Sequence, residues 1–452
     1  MARELDRCRV PAAAVPAGAI LTVLALAAVL GRIGSDAQWL AALGHVIVHR
    51  RAIPSGVPFA ATPTGQWPNA LVLAELIFAA LQTAFGDQGL MLAQLALASA
   101  GLILLARDAR AGGASPVGVS AAVLLVGVGA LPSLAIARVQ MFSLALFPAL
   151  VMLLRAEARA PSRRIWLAVP LLALWSNLHG AALIGAGVTL VYLVVDRARR
   201  EPALAAAVAA GSALALCATA ALARTVAYYH GVLTNQAAQR GAGMWGPLSL
   251  TSPLDIALAV VAALLVWRMT RVRPARWEWC VVAALALLTV RADRNGVWLL
   301  FFMAGPAARA LGSARSLRPL TPALIAASGA VLALAIGRGP VTTGASPSLV
   351  RSAVVLAGGS PILADGSVDE QVALAGGRIW AGNPIDAFSA AVQTSYLDWL
   401  AGQRAGARAV GSAVRVVLVS RGAATQRLMA RMPGFVAARS SRSVVMYERV
   451  RA

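Results

Sequence analysis

The chain has 452 residues, of which 59% are hydrophobic and only 13% charged, where an ordinary soluble domain is about a quarter charged. With a mean hydropathy of +0.74, this excludes a soluble globular enzyme and points to an α-helical polytopic membrane protein whose first partner is the lipid bilayer. A formal net charge of +22 would suggest nucleic acid in a soluble chain, but here the arginines gather in short stretches between apolar runs, where basic charge sets membrane orientation. No nucleic-acid partner is expected.

The tail before Pro11 carries Arg3, Arg7 and Arg9 against Glu4 and Asp6, which predicts a cytoplasmic amino terminus and an uncleaved first span over about 12 to 31. The long polar stretch 32–69 then faces outward. The apolar piece 70–85 has the hydropathy of a second span, yet charge parity opposes a crossing. If it crossed, the arginine-rich stretches at 106–115, 155–164, 196–202, 267–277 and 309–319 would all face outward, against the positive-inside bias. Residues 70–85 therefore read as an interfacial or re-entrant helix.

On this parity the remaining spans fall near 89–106, 117–134, 139–154, 165–178, 180–195, 203–222, 254–268, 279–291, 296–311 and 321–337, about eleven in all with the first. An odd number places residues 339–452 outside. Their short β-branched runs, broken by Gly, Pro and charge, predict a small α/β domain after a membrane domain of residues 1–338. Strands are expected at SPILADG, GGRIWAG, VRVVLVS, FVAARSS and SVVMYERV, with helices at AFSAAVQTSYLDWLAG and ATQRLMARM. Cys8, Cys217 and Cys280 have no metal or redox spacing.

Polar chemistry converges on the outer face. Asp36 follows the first span and either caps the helix after it or serves as a general base. His45 and His49 share one face of that helix at i, i+4, without a third ligand at metal spacing. In QWPN, 66–69, Trp67 is an interfacial anchor or a platform for a sugar ring, and Asn69 a cap or a sugar contact. Asn177 and His179 lie between two apolar runs, where buried polarity implies a cavity or a partner. Arg138, Arg291 and Arg294 sit where outer turns meet spans and suit bidentate phosphate binding, or snorkel to headgroups. The second long outer loop, 223–253, offers Tyr228, His230 and Gln239.

An acid just past the first span, a Pro- and Gly-rich loop with an aromatic-Pro motif, and the juxtamembrane stretch AELIFAALQTAFGDQGL, 74–90, together resemble the GT-C glycosyltransferases. That superfamily includes protein mannosyltransferases and the aminoarabinose transferase of lipid A. IARVQMFSL and LWSNLHG further resemble segments of uncharacterised bacterial membrane proteins near it. The acid stands alone as SDAQ rather than in an acidic pair, and QWPN replaces a basic-Pro-Pro form.

The resemblance implies inverting transfer of a sugar from a polyprenyl-phosphate donor to an acceptor at the outer face of the cytoplasmic membrane. Asp36 would then be the catalytic base. Arg138, Arg291 and Arg294 would bind the donor phosphate, and Trp67, Asn69, Asn177, His179, Tyr228, His230 and Gln239 would contact substrate. The residues require no metal, although a divalent ion is compatible with them. A polysaccharide polymerase or ligase of another fold, a transporter and a non-catalytic envelope assembly protein are the rival classes.

Overall fold

A computed structural model describes residues 14–65, 67–312, 321–341 and 344–450. The charged amino-terminal tail with Cys8, Gln66 of QWPN, and residues 313–319 of the last arginine-rich stretch lie outside the described residues.

Apolar runs become helices because hydrocarbon offers the backbone no other hydrogen-bond partners. Helix α1 (Ala14–Val29) leads into strand β1 (Arg32–Ile33) and helix α2 (Ala37–Arg50). Then come α3 (Val72–Ala111), α4 (Pro116–Gly129), α5 (Leu131–Ala135), strand β2 (Ile136–Ala137) and α6 (Met141–Arg159). The hairpin α7 (Ala168–Ser176) and α8 (Ala182–Val195) precedes α9 (Pro202–Leu216), α10 (Thr225–Thr234) and α11 (Gln236–Arg240). The membrane part closes with α12 (Pro253–Met269), α13 (Arg276–Arg291), α14 (Gly296–Ala308) and α15 (Thr321–Arg338).

A helix coincides with every expected span, but among the described residues only α3, α6 and α15 are long and apolar enough to cross a bilayer. Helix α7, at 9 residues, is only about 14 Å long. Helix length thus accounts for three crossings rather than eleven, and the shorter helices rely on neighbours to complete the thickness.

Gly86, at φ 58 and ψ −152, breaks α3 into two parts, in a backbone region open essentially to glycine alone. The part before the break runs antiparallel to α2. Gln38 Nε2 donates to Asp87 at 3.3 Å, His45 Nε2 meets Thr83 Oγ1 at 2.9 Å, and a Cβ on Gly44 would lie 2.1 Å from the Glu75 carbonyl oxygen. At one end Ala74 N–H donates to Asn177 O in the α7–α8 turn (3.3 Å), and just past the other Gln88 Nε2 donates to Ile336 O near the end of α15. Both partners fall at span ends that charge parity predicts on one face, the arrangement expected of a membrane-lying segment.

Two arginines expected in solvated loops are internal. Arg155 on α6 pairs with Asp108 of α3 (2.5 Å) and Glu278 of α13 (2.8 Å), and donates to Phe302 O of α14 (2.7 Å). Arg197 is 1% exposed and pairs with Glu157 and Glu201. Their charge ties helices together instead of facing water.

Beyond residue 339 follow α16 (Pro347–Ala357), strand β3 (Ile362–Ala364), α17 (Val368–Leu374), α18 (Ala390–Leu400), strand β4 (Val416–Ser420), α19 (Ala424–Met429) and strands β5 (Phe435–Ser440) and β6 (Val444–Arg449). The sheet order is β3-β4-β6-β5, with β3 parallel to β4 and the other pairs antiparallel. Four of the five expected strands and both helices are present. GGRIWAG is not a strand: Ile379 alone bridges to Ala60 and Ile362, because it sits where the outer loop meets the sheet edge. Ile362, Val372 and Val416 belong to the same buried cluster as Leu43, Leu90 and Phe302, so one core runs from the helices into the sheet.

Candidate active site

Backbone pairing assembles the first wall. Strands β1 and β2 run parallel with Ile33 opposite Ala137, and Gly34 N–H donates to Ala137 O at 2.9 Å. This register brings the residues that follow each strand, Asp36 and Arg138, into one cavity.

Asp36 stands at the N-cap of α2 with φ 80 and ψ −19, and its side chain makes no capping bond. Left-handed backbone costs an L-residue about 1 to 2 kcal/mol, so something else must hold it. Glu370 of α17 does so. Its carboxylate accepts from the backbone N–H groups of Asp36 (2.8 Å), Gln38 (3.2 Å) and Trp39 (3.4 Å), and from Asn383 Nδ2 (2.8 Å). Those are orphan donors of a helix N-terminus, where a carboxylate is well placed. The capping alternative for Asp36 is thereby removed: its own carboxylate accepts the Trp39 indole N–H at 3.3 Å and lines the cavity.

The cavity has a volume of about 620 Å³. Its polar part brings together seven of the expected residues: Asp36, Trp67, Arg138, His179, Tyr228, Arg291 and Arg294. Its apolar part runs down α8 through Leu183, Ile184, Val188 and Val191, and down α13 through Leu288, Leu285 and Val281. From Arg291 to Val281 that is about 15 Å along a helix.

Burial lowers the Arg138 guanidinium to about 10, with Asp36 opposing the shift, and it remains cationic at neutral pH. Its Nη1 lies 2.9 Å from Met244 Sδ, and its buried Nε has no partner among the described residues. Arg294 is lowered by burial and supported by Asp36 in the same way, and its guanidinium stacks 4.2 Å from the centre of the Trp245 ring. His179 Nδ1 is 2.7 Å from Ser143 Oγ, which accepts the Trp175 indole N–H at 2.6 Å and keeps its own proton free for the imidazole. Burial, then the charges of Arg294 and Arg138, push His179 down to about 3. When Ser143 donates to Nδ1, the neutral ring carries its N–H on Nε2.

The opposite wall comes from the carboxyl-terminal domain, in which sequence reasoning named no site residue. Loop residues Asn383 to Asp386 line the cavity. Trp67 Nε1 donates to Asp386 at 2.8 Å and its ring meets Trp39 edge-on, with centroids 6.2 Å apart. The sequence signal was slight: an Asn-Pro turn followed by an acid in a region already assigned to the outer face.

Four expected substrate contacts lie outside the cavity lining. Asn69 Nδ2 donates to the buried Glu75 carboxylate (2.8 Å) and its Oδ1 accepts from Leu71 N–H, fixing the start of α3. Asn177 Nδ2 donates to the carbonyls of Ala173 and Ala218, so its polarity is satisfied locally. His230 and Gln239 are exposed, and the Gln239 amide bonds back to Thr234 O. His49 is also exposed while His45 bonds to Thr83. Among the described residues no group of three or more His, Cys, Asp or Glu could hold a metal ion.

No protein-family model matches the sequence, and no curated protein matches it. Solved structures do share its fold. ArnT from Cupriavidus metallidurans bound to undecaprenyl phosphate superposes with a TM-score of 0.51 at 12% identity, over 96% of this chain and 97% of that one. The same protein in the apo state gives 0.51 at 13% identity, over 96% of each chain. The mycobacterial arabinofuranosyltransferase AftD gives 0.54 at 14% identity, over 97% of this chain but 41% of AftD. The likeness is one of fold: a largely α-helical, membrane-type architecture with a carboxyl-terminal sheet.

Proposed function

We propose that this chain is a membrane glycosyltransferase that moves a sugar from a polyprenyl-phosphate donor to an acceptor at the outer face of the cytoplasmic membrane. The observation that carries the reading is one cavity in which a carboxylate and cationic guanidiniums share a polar end that continues into an apolar channel. A lipid-linked sugar phosphate has the same polarity along its length. The fold shared with ArnT, solved with undecaprenyl phosphate, and with the arabinofuranosyltransferase AftD supports the same class.

In this reading the isoprenoid lies along the apolar faces of α8 and α13, and the phosphate sits at Arg138 and Arg294 with Arg291 at the rim. Asp36 takes the proton of the acceptor hydroxyl as the acceptor oxygen bonds to the sugar anomeric carbon from the face opposite the phosphate. The bond from that carbon to the phosphate oxygen breaks, and its electron pair leaves with the polyprenyl phosphate. Fixed cations aimed at this leaving charge lower the barrier without reorganising. His179 adds a neutral N–H donor beside them. The amino terminus is cytoplasmic and the domain after residue 339 extracytoplasmic, consistent with the arginine-rich stretches facing inward.

Replacing Asp36 with Asn keeps the shape and removes the base. Transfer from a polyprenyl-phosphate-linked sugar should fall by about 10² to 10⁴, with undecaprenyl phosphate binding retained. Full activity in that variant would sink the mechanism.

A further inference from the structure

Asp386 lines the cavity and has no part in the transfer chemistry just described. It is one half of a paired arrangement: two tryptophans in edge contact each present an indole N–H to a carboxylate, Trp39 to Asp36 and Trp67 to Asp386. The two acids come from opposite ends of the chain and open into the same space.

Charge orders the cavity. Asp36 acts on both Arg138 and Arg294, and it is also the charge that acts on Asp386. Arg138, Arg294, Asp36 and Asp386 thus line one cavity, two cations with two carboxylates. A donor phosphate pairs with the guanidiniums, which leaves the two carboxylates to the acceptor.

We propose that Asp386 determines acceptor specificity, and that the acceptor presents a neutral sugar hydroxyl, flanked by a second hydroxyl, rather than a phosphate or carboxylate group. This rests on the transfer reading above. A diol donates one hydroxyl to each aspartate, and the proton lost to Asp36 belongs to the hydroxyl whose oxygen bonds to the donor sugar, while the polyprenyl phosphate departs with the electron pair. An anionic acceptor group would face two carboxylates with the arginines already engaged by the donor, a like-charge penalty that selects against it.

The full chain in detergent with undecaprenyl phosphate bound, followed by tryptophan fluorescence, provides the test, because Trp39 and Trp67 border the acceptor side. The probes are a neutral methyl mannoside and the same mannoside carrying a phosphate ester. The neutral probe should saturate at a concentration at least about tenfold lower, and Asp386→Asn should narrow that gap to about threefold or less. Equal or tighter binding of the phosphorylated probe to the unaltered protein, no response to either probe, or an unchanged gap in the variant would each overturn the proposal. The comparison on the unaltered protein needs no variant to fold. Failure of that protein to bind undecaprenyl phosphate would instead strike the donor reading.

Discussion

Arg294 and Asp386 both line the cavity, and each should respond to change in its own way. Removing the guanidinium with Arg294→Ala should weaken undecaprenyl phosphate binding by about tenfold or more, and Arg294→Lys should restore only part of it, since an ammonium lacks the planar fork and its stacking on Trp245. Burial raises Asp386 to about 6, with the Trp67 bond opposing the shift. Above that pH it is anionic and repels an anionic acceptor; below it the charge is lost. The preference for the neutral mannoside should therefore shrink between pH 7 and pH 5 in the same fluorescence titration. Asp36, Arg138 and Arg294 were legible in the sequence because ionised groups at the ends of apolar runs are costly and conspicuous. Asp386 and Glu370 were not, since acids in a polar domain are ordinary until the fold shows what they face. Asn177 misled for the converse reason: two carbonyls within reach satisfy it with no ligand.

Helix α2 owes its N-terminus to a distant element, α17, and this sets its vulnerability. Glu370→Ala leaves three backbone N–H groups without their acceptor, which should cost about 2 to 3 kcal/mol and release Asp36 from its left-handed backbone. Thermal unfolding would show the first effect and transfer assays the second. Burial, and then the charge of Asp36, raise Glu370 from 4.5 to about 8. A carboxyl whose folded value is raised adds stability that is complete below its unfolded value and is lost as pH rises through the folded one. The melting temperature should accordingly fall between about pH 4.5 and pH 8 and level off above, and Glu370→Gln should flatten that slope. At this scale the periodicity of the sequence located the membrane helices and four strands of the sheet but not α16 or α17. It could not show that residues 72–85 and the following span are one helix broken at Gly86, because the break lies in a single backbone torsion pair.

Across the molecule, the membrane helices are fastened at the end away from the cavity's polar part by the buried set of Arg155, Asp108 and Glu278, which joins α3, α6 and α13. Arg155→Ala would strand two buried carboxylates and should destabilise the protein by about 3 to 5 kcal/mol, readable as loss of the folded peak in detergent. Such ties are invisible in a positive-inside count, which treats every loop arginine alike. The parallel pair β1 and β2 has a further consequence. The spacing between Asp36 and Arg138 is set by the main chain, through the register of Ile33 against Ala137 and the Gly34 N–H bond to Ala137 O. Side-chain substitutions in these strands leave that ruler intact, whereas deleting Ser35 would shift its zero by one residue and carry the Asp36 carboxylate out of line with Arg138.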